Sequence, residues 1–144
     1  MPKVLQIVNR LNLGGIISNA ALLSRYLPDN YESIFLAGPK QDSEESAAFI
    51  LEELGLSYTE IPEMQRSLHP FRDRQAYLKL RSIIKEFRPD IVHTHAAKAG
   101  ALGRLAAYHE NVPVILHTFH GHIFHSYFNP VVSKVFVQIE RYLA

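Results

Sequence analysis

The chain contains no cysteine and no tryptophan, and only two methionines. Without cysteine there is no disulfide, no thiolate ligand for a structural zinc and no thiol nucleophile. An excess of either charge is missing too. Fifteen basic residues stand against fourteen acidic ones, a formal net charge of +1. Such balance leaves no electrostatic footprint for nucleic acid. Long apolar runs are also absent, since no window approaches the roughly 18 residues that a membrane-crossing helix needs. The opening MPKVLQIVN runs straight into a strand-like stretch, unlike a signal peptide. A cytoplasmic protein is the expectation.

What is present is an ordinary globular composition: 144 residues, 47% hydrophobic and 20% charged, enough for one domain with a real core. Short apolar runs alternate with helical spacing. Strands are expected at Val4–Val8, Tyr31–Leu36, Ser57–Ile61, Asp90–His95 and Val112–Phe119. Helices are expected at Ile16–Leu27, Ser43–Leu54, Phe71–Phe87, Ala97–His109 and Ser126–Leu143. In the first helix Ala20, Leu23 and Leu27 share a face, and Pro28 stops it. Ser43 or Ser46 suits a cap for the second, Glu44 and Glu45 suit its positive end, and Gly55 suits its exit. Tyr77, Leu80, Ile84 and Phe87 align on the third helix, and Val132, Val135, Ile139 and Leu143 on the last. Alternation of this kind predicts a doubly wound α/β domain, with a mostly parallel Rossmann-like sheet and helices on both faces. The sequence ends in or just after a helix with no polar tail, so a further compact domain is expected to follow.

Ligands of open parallel sheets bind beyond the carboxyl ends of the strands, which selects three stretches. Gly14-Gly15 precedes a helix, where backbone can approach a ligand and the helix N-terminus favours an anion. The pair is neither G-x-G-x-x-G nor a P-loop, and a tight strand-to-helix turn explains it equally well. His93-Thr94-His95 ends the fourth strand, with both histidines on one face by alternation. Lys98 follows as a point charge for a phosphate or carboxylate, or simply as a solvated lysine. HTFHGHIFH, residues 117–125, holds four of the eight histidines. His120, His122 and His125 fall on the loop after the strand, interleaved with aromatics. Their spacing fits no standard metal site and no helical i, i+4 pair. A substrate-facing loop is expected instead, with histidine able to donate a hydrogen bond or carry charge near neutral pH. Between Arg66 and Arg88 seven basic residues face two acidic ones. Arg74, Arg81, Lys85 and Arg88 share a face, suited to an anionic membrane surface or to plain solvation.

RLNLGG (10–15), PDIVHTHAAKAGALGRLAA (89–107) and HTFHGHIFHSYFNP (117–130) resemble the N-terminal domain of family 4 glycosyltransferases, retaining enzymes of the GT-B fold, with a leaning toward bacterial surface-polysaccharide enzymes. The resemblance implies residues 1–144 as the acceptor-side Rossmann-like half, without the C-terminal donor-binding domain. It implies a nucleotide sugar, UDP-linked, as donor and a glycan or polyprenyl-linked acceptor. It implies no cofactor, metal or nucleic acid, and a place at the inner face of the cytoplasmic membrane, with Arg74, Arg81 and Lys85 facing the lipid. Within the site it implies Gly14, Gly15 and Gly121 near the donor phosphates and sugar, and His120 as the catalytic histidine contacting that sugar. His95, Lys98 and His122 are then placed on the acceptor side. Ile16-Ile17 departs from the small or polar residues common after the glycine pair in relatives. The family's paired glutamates and phosphate-gripping basic residues lie in the missing domain, so this piece alone is expected to be inactive. Two other readings share the fold: half of a nucleotide-sugar epimerase, and a non-catalytic α/β binding module.

Overall fold

A computed structural model describes residues 1–121 and 130–144. Its elements run β1 (Lys3–Val8), α1 (Gly15–Arg25), β2 (Glu32–Ala37), α2 (Ala48–Glu53) and β3 (Tyr58–Glu60). They continue as α3 (Pro70–Phe87), β4 (Ile91–His95), α4 (Ala97–His109), β5 (Val114–Thr118) and α5 (Pro130–Leu143). The five strands form one sheet in the order β3-β2-β1-β4-β5, and every pairing is parallel. The expected doubly wound architecture is therefore the one observed. Chain order reverses between β1 and β4, where Val8 pairs with His95. Open α/β sheets bind their ligands at such a switch point.

Two cores flank the sheet. Leu5, Ile7 and Val92 point to one face and pack against Leu80 and Ile84 of α3 and Ala99, Ala106 and Ala107 of α4. Val8, Phe35 and Ala37 point to the other, against Ile17, Ala20 and Ala21 of α1 and Leu51 of α2. Small residues dominate the faces of α1 and α4 that touch the sheet, because they let the two backbones approach. That corrects the expected face of α1. Ile17, Ala20, Ala21 and Ser24 are buried, while Leu23 is 45% exposed.

The second helix is also shorter than expected. Residues 43–47 are not helical, since partners both near and distant in sequence compete for them. Glu44 accepts from the Gln41 N–H and pairs with Arg10, and Ser46 bridges to Asn12. Ser46 does meet the Ala48 N–H at the true start of α2. Gly55 adopts a φ of +68°, the left-handed exit that its position calls for. The aligned apolar residues of α5 are not core among the described residues: Val135 is 54% and Ile139 40% exposed.

Candidate functional site

Side chains alternate across β4, so His93 and His95 share one face and Thr94 takes the other. The two histidine rings lie 4.2 Å apart between centroids. His93 Nε2 lies 2.8 Å from Thr118 Oγ1 on β5. His95 is fully buried at the switch point and bonded at both ring nitrogens. Its Nε2 lies 2.8 Å from Gln6 Oε1 on β1, and its Nδ1 lies 2.9 Å from His120 Nε2. The His95 and His120 rings stack with centroids 5.2 Å apart. His120 follows β5 and is half-buried.

This arrangement sets the charge of the cluster. Burial pushes His95 down to about 3, helped by repulsion from His93, His120 and His117. Burial lowers His93 and His120 as well. The uncharged form is favoured near neutral pH, because water is withdrawn from rings that crowd one another. They act there as neutral hydrogen-bonding groups. Among the described residues no three His, Asp or Glu side chains converge on a point that could hold a metal.

His117 lies on the opposite sheet face. Its Nδ1 lies 2.8 Å from Thr94 Oγ1, and its ring packs on Gly100 of α4, where an added Cβ would stand 2.4 Å from His117 Cε1. His117 belongs to the packing of β5 against α4. Burial and the charge of Arg104 hold it down to about 4.

Gly14 caps α1 with no side-chain hydrogen bond, and the first turn carries no acidic residue. Its φ of 166° is extended backbone open to any residue. A Cβ built on Gly14 or Gly15 meets nothing within 4 Å. The fold itself therefore makes no steric demand for glycine at either position. Gly121 differs, since its φ of +127° is one that side chains strain to adopt. Ala96, between His95 and α4, holds a φ of +66° without being glycine. Strained backbone of this kind collects at working sites.

Lys98 is engaged within the fold. Its side chain, 9% exposed, pairs with Asp73 at 2.7 Å and donates to the Ser67 carbonyl. His95 and Lys98 thus serve the site from inside: one lies beneath His120, and the other ties the start of α4 to the loop before α3. His122, expected on the acceptor side, and His125 lie outside the described residues. On α3, Arg81 and Lys85 both reach the Glu110 carboxylate, the second at 3.9 Å. Arg74 is exposed beside Phe71 and Leu78, which are 65% and 43% exposed. Glu110 thus offsets part of the positive face expected there.

Sequence reading missed Gln6 and Asn9. A glutamine inside the apolar run KVLQIV was the available signal, because a buried polar residue needs a partner. Asn9, just past β1, accepts from the Ala99 N–H of α4, and nothing in its local sequence announces so distant a bond.

A parallel five-stranded sheet with helices on both faces, a glycine-led helix start and stacked histidines at its carboxyl edge define a Rossmann-like half-domain. The chain belongs to the glycosyl transferase 4-like domain family, whose model matches residues 14–144. It is 36% identical over 84 residues to an Escherichia coli UDP-Gal:alpha-D-GlcNAc-diphosphoundecaprenol alpha-1,3-galactosyltransferase, covering 58% of this chain and 22% of that protein. Solved structures share the fold. The Acinetobacter baumannii MurG structure matches 97% of the chain at a TM-score of 0.63 and 18% identity, over 38% of its own length. A UDP-GlcNAc 2-epimerase from Neisseria meningitidis, bound to UDP-GlcNAc, matches 99% at 0.70 and 16% identity, again over 38% of its length. The chain spans about a fifth of the galactosyltransferase and well under half of either structure.

Proposed function

We propose that this chain is the acceptor-side half of a retaining glycosyltransferase that moves a hexose from a UDP-linked sugar to a lipid-linked glycan acceptor. One observation carries the reading. Gly14 and Gly15 stand at an uncapped helix start where the fold itself does not require glycine. A helix start stripped of side chains suits the close approach of a diphosphate to backbone N–H groups. The kinds of donor and acceptor are suggested by the Escherichia coli relative. His120 is assigned to the donor sugar, Gly121 to the turn that presents it, and His122 and Lys98 to the acceptor side, Lys98 through the framework it ties together. No bound cofactor enters the proposal. Catalysis needs a second, donor-gripping domain, so residues 1–144 alone are inactive in this reading.

The test uses the full-length enzyme with UDP-galactose and a GlcNAc-diphosphoundecaprenol acceptor. Transfer that is lost in His120→Ala and weakened in Gly14→Val, with both proteins folded, supports the reading. Full activity in His120→Ala refutes the site assignment. The epimerase alternative draws on the similarity to the Neisseria structure. Conversion of UDP-GlcNAc with no acceptor present would replace the transferase reading with that one.

A further inference from the structure

We propose that Gln6 is a positioning residue that fixes the tautomer of His120 through His95, so that His120 presents a bare Nδ1 able to accept a hydrogen bond from a sugar hydroxyl. The inference rests on the reading of His120 as a sugar-contacting residue, and deepens it.

The chain of bonds runs one way. Gln6 is 2% exposed, and its Oε1 can only accept. The facing Nε2 of His95 must therefore carry the proton. His95 is neutral and has one ring proton to place, which leaves its Nδ1 bare. A bare Nδ1, 2.9 Å from His120 Nε2, requires that nitrogen to donate. A neutral His120 then has its remaining nitrogen, Nδ1, without a proton. That nitrogen makes no hydrogen bond to any described residue.

The consequence is chemical selectivity. A bare ring nitrogen meets a hydroxyl donor well and repels a phosphate oxygen. The glycine pair at α1 is suited to the anion, and His120 to the neutral sugar. Tautomers set by a buried acceptor are potent: the wrong one in a serine-protease triad costs about 10⁴ in kcat.

Other groups face His95. His93 lies beside it on β4, His120 follows β5, and His117 acts from the far face of β5. From α4, the charge of Arg104 bears on His117. None of them supplies an acceptor oxygen to His95 Nε2.

The experiment is ¹⁵N NMR of the histidine rings of this chain, with activity read on the full-length enzyme. In the wild type His95 and His120 should each show a protonated Nε2 and a bare Nδ1. Gln6→Met keeps the volume and removes the acceptor. It should leave both rings as tautomer mixtures and lower kcat by about tenfold to a hundredfold, short of the serine-triad loss, with little change in KM. Gln6→Glu supplies only acceptor oxygens and so restores the wild-type tautomer at high pH. Its carboxylate also draws a second proton onto His95 as pH falls, so His120 must then carry its proton on Nδ1. The acid limb of kcat should move to higher pH in Gln6→Glu. A merely structural glutamine would not produce that shift.

A wild-type His95 protonated on Nδ1, as if the Gln6 amide donated, overturns the proposal. So does an unchanged His120 tautomer in a folded Gln6→Met. If Gln6→Met does not fold, the wild-type spectrum and the Gln6→Glu profile still decide. If the tautomers are as stated but His120→Ala keeps full transfer activity, the reading of His120 has failed and the bond chain has not.

Discussion

Asn9 and Ala99 are ninety positions apart in sequence, yet the Asn9 side-chain oxygen accepts the backbone N–H of Ala99 in the first turn of α4. The residue at the nominal cap, Ala96, has no side-chain oxygen to offer. A neighbouring strand thus supplies the cap from across the switch point. Asn9→Ala should lower stability by about 1 kcal/mol, as the loss of a helix cap does. Asn9→Asp should keep most of it. Urea unfolding of both variants decides, and equal losses would mean the bond contributes nothing.

Stability should fall with acid in a range set by two histidines, one buried and one half-buried. His95 is held down to about 3 and His117 to about 4, below an ordinary value of 6.5. The unfolded chain therefore binds more protons than the folded one below pH 6.5. The stabilisation is complete above about 6.5 and is lost as pH falls, through about 4 for His117 and about 3 for His95. Denaturation midpoints at pH 7.5, 6 and 5 should decline in that order. His117→Gln should flatten the decline, and an unaltered slope in that variant would remove His117 from the account.

Glycines of two kinds should separate cleanly. Gly14→Ala and Gly15→Ala meet open space and should leave stability level or raised by up to about 1 kcal/mol. Gly100→Ala would press a Cβ to 2.4 Å from the His117 ring, and Gly103→Ala to 2.6 Å from Thr94 Cγ2. Each should cost about 1–3 kcal/mol by overpacking. Thermal melts of the four variants would show the split, and a destabilised Gly14→Ala would return that glycine to the fold.

Lys98 should behave as part of the framework. Asp73 accepts from Lys98 with one oxygen and from the His69 N–H with the other, while His69 Nδ1 accepts from the Arg72 N–H. Lys98→Met removes one member of this cap at the start of α3 and should cost about 1–3 kcal/mol. A double-mutant cycle with Asp73→Asn should show strong coupling. No loss in Lys98→Met would free the lysine for ligand contact.

If the exposed side of α3 meets anionic lipid, Arg74→Glu should weaken binding to phosphatidylglycerol vesicles more than Lys85→Glu does, because Lys85 is already shared with Glu110. Added salt should weaken the wild type too. Equal vesicle binding by wild type and Arg74→Glu would exclude the helix as a docking face. Arg81→Glu is a poorer probe, since it also sets two carboxylates against each other.

The sheet was legible because its central strand β1 is buried on both faces and reads as an apolar run, and the other strands alternate with helical spacing; α4 was placed to the residue because alanine-rich spacing leaves few other choices. The start of α2 was not, since Glu44 and Ser46 find partners in Arg10 and Asn12 that only the folded chain brings near. Within the site, alternation put His93 and His95 together correctly. That His95 would be sealed beneath His120, and that Gln6 would hold it, depended on the pairing of β1 with β4. Such pairing joins residues 89 apart and leaves no periodic trace.

The two faces of β4 have one consequence for how this segment tolerates change. His93 and His95 stand on one side, and Thr94, locked to His117 and pressed by Gly103, stands on the other. Substitutions alter one side at a time. Deletion of a single residue from Ile91–His95 would exchange the sides, sending imidazoles into the α4 packing and a threonine to the ligand edge. The strand should therefore accept many changes of letter and no change of length.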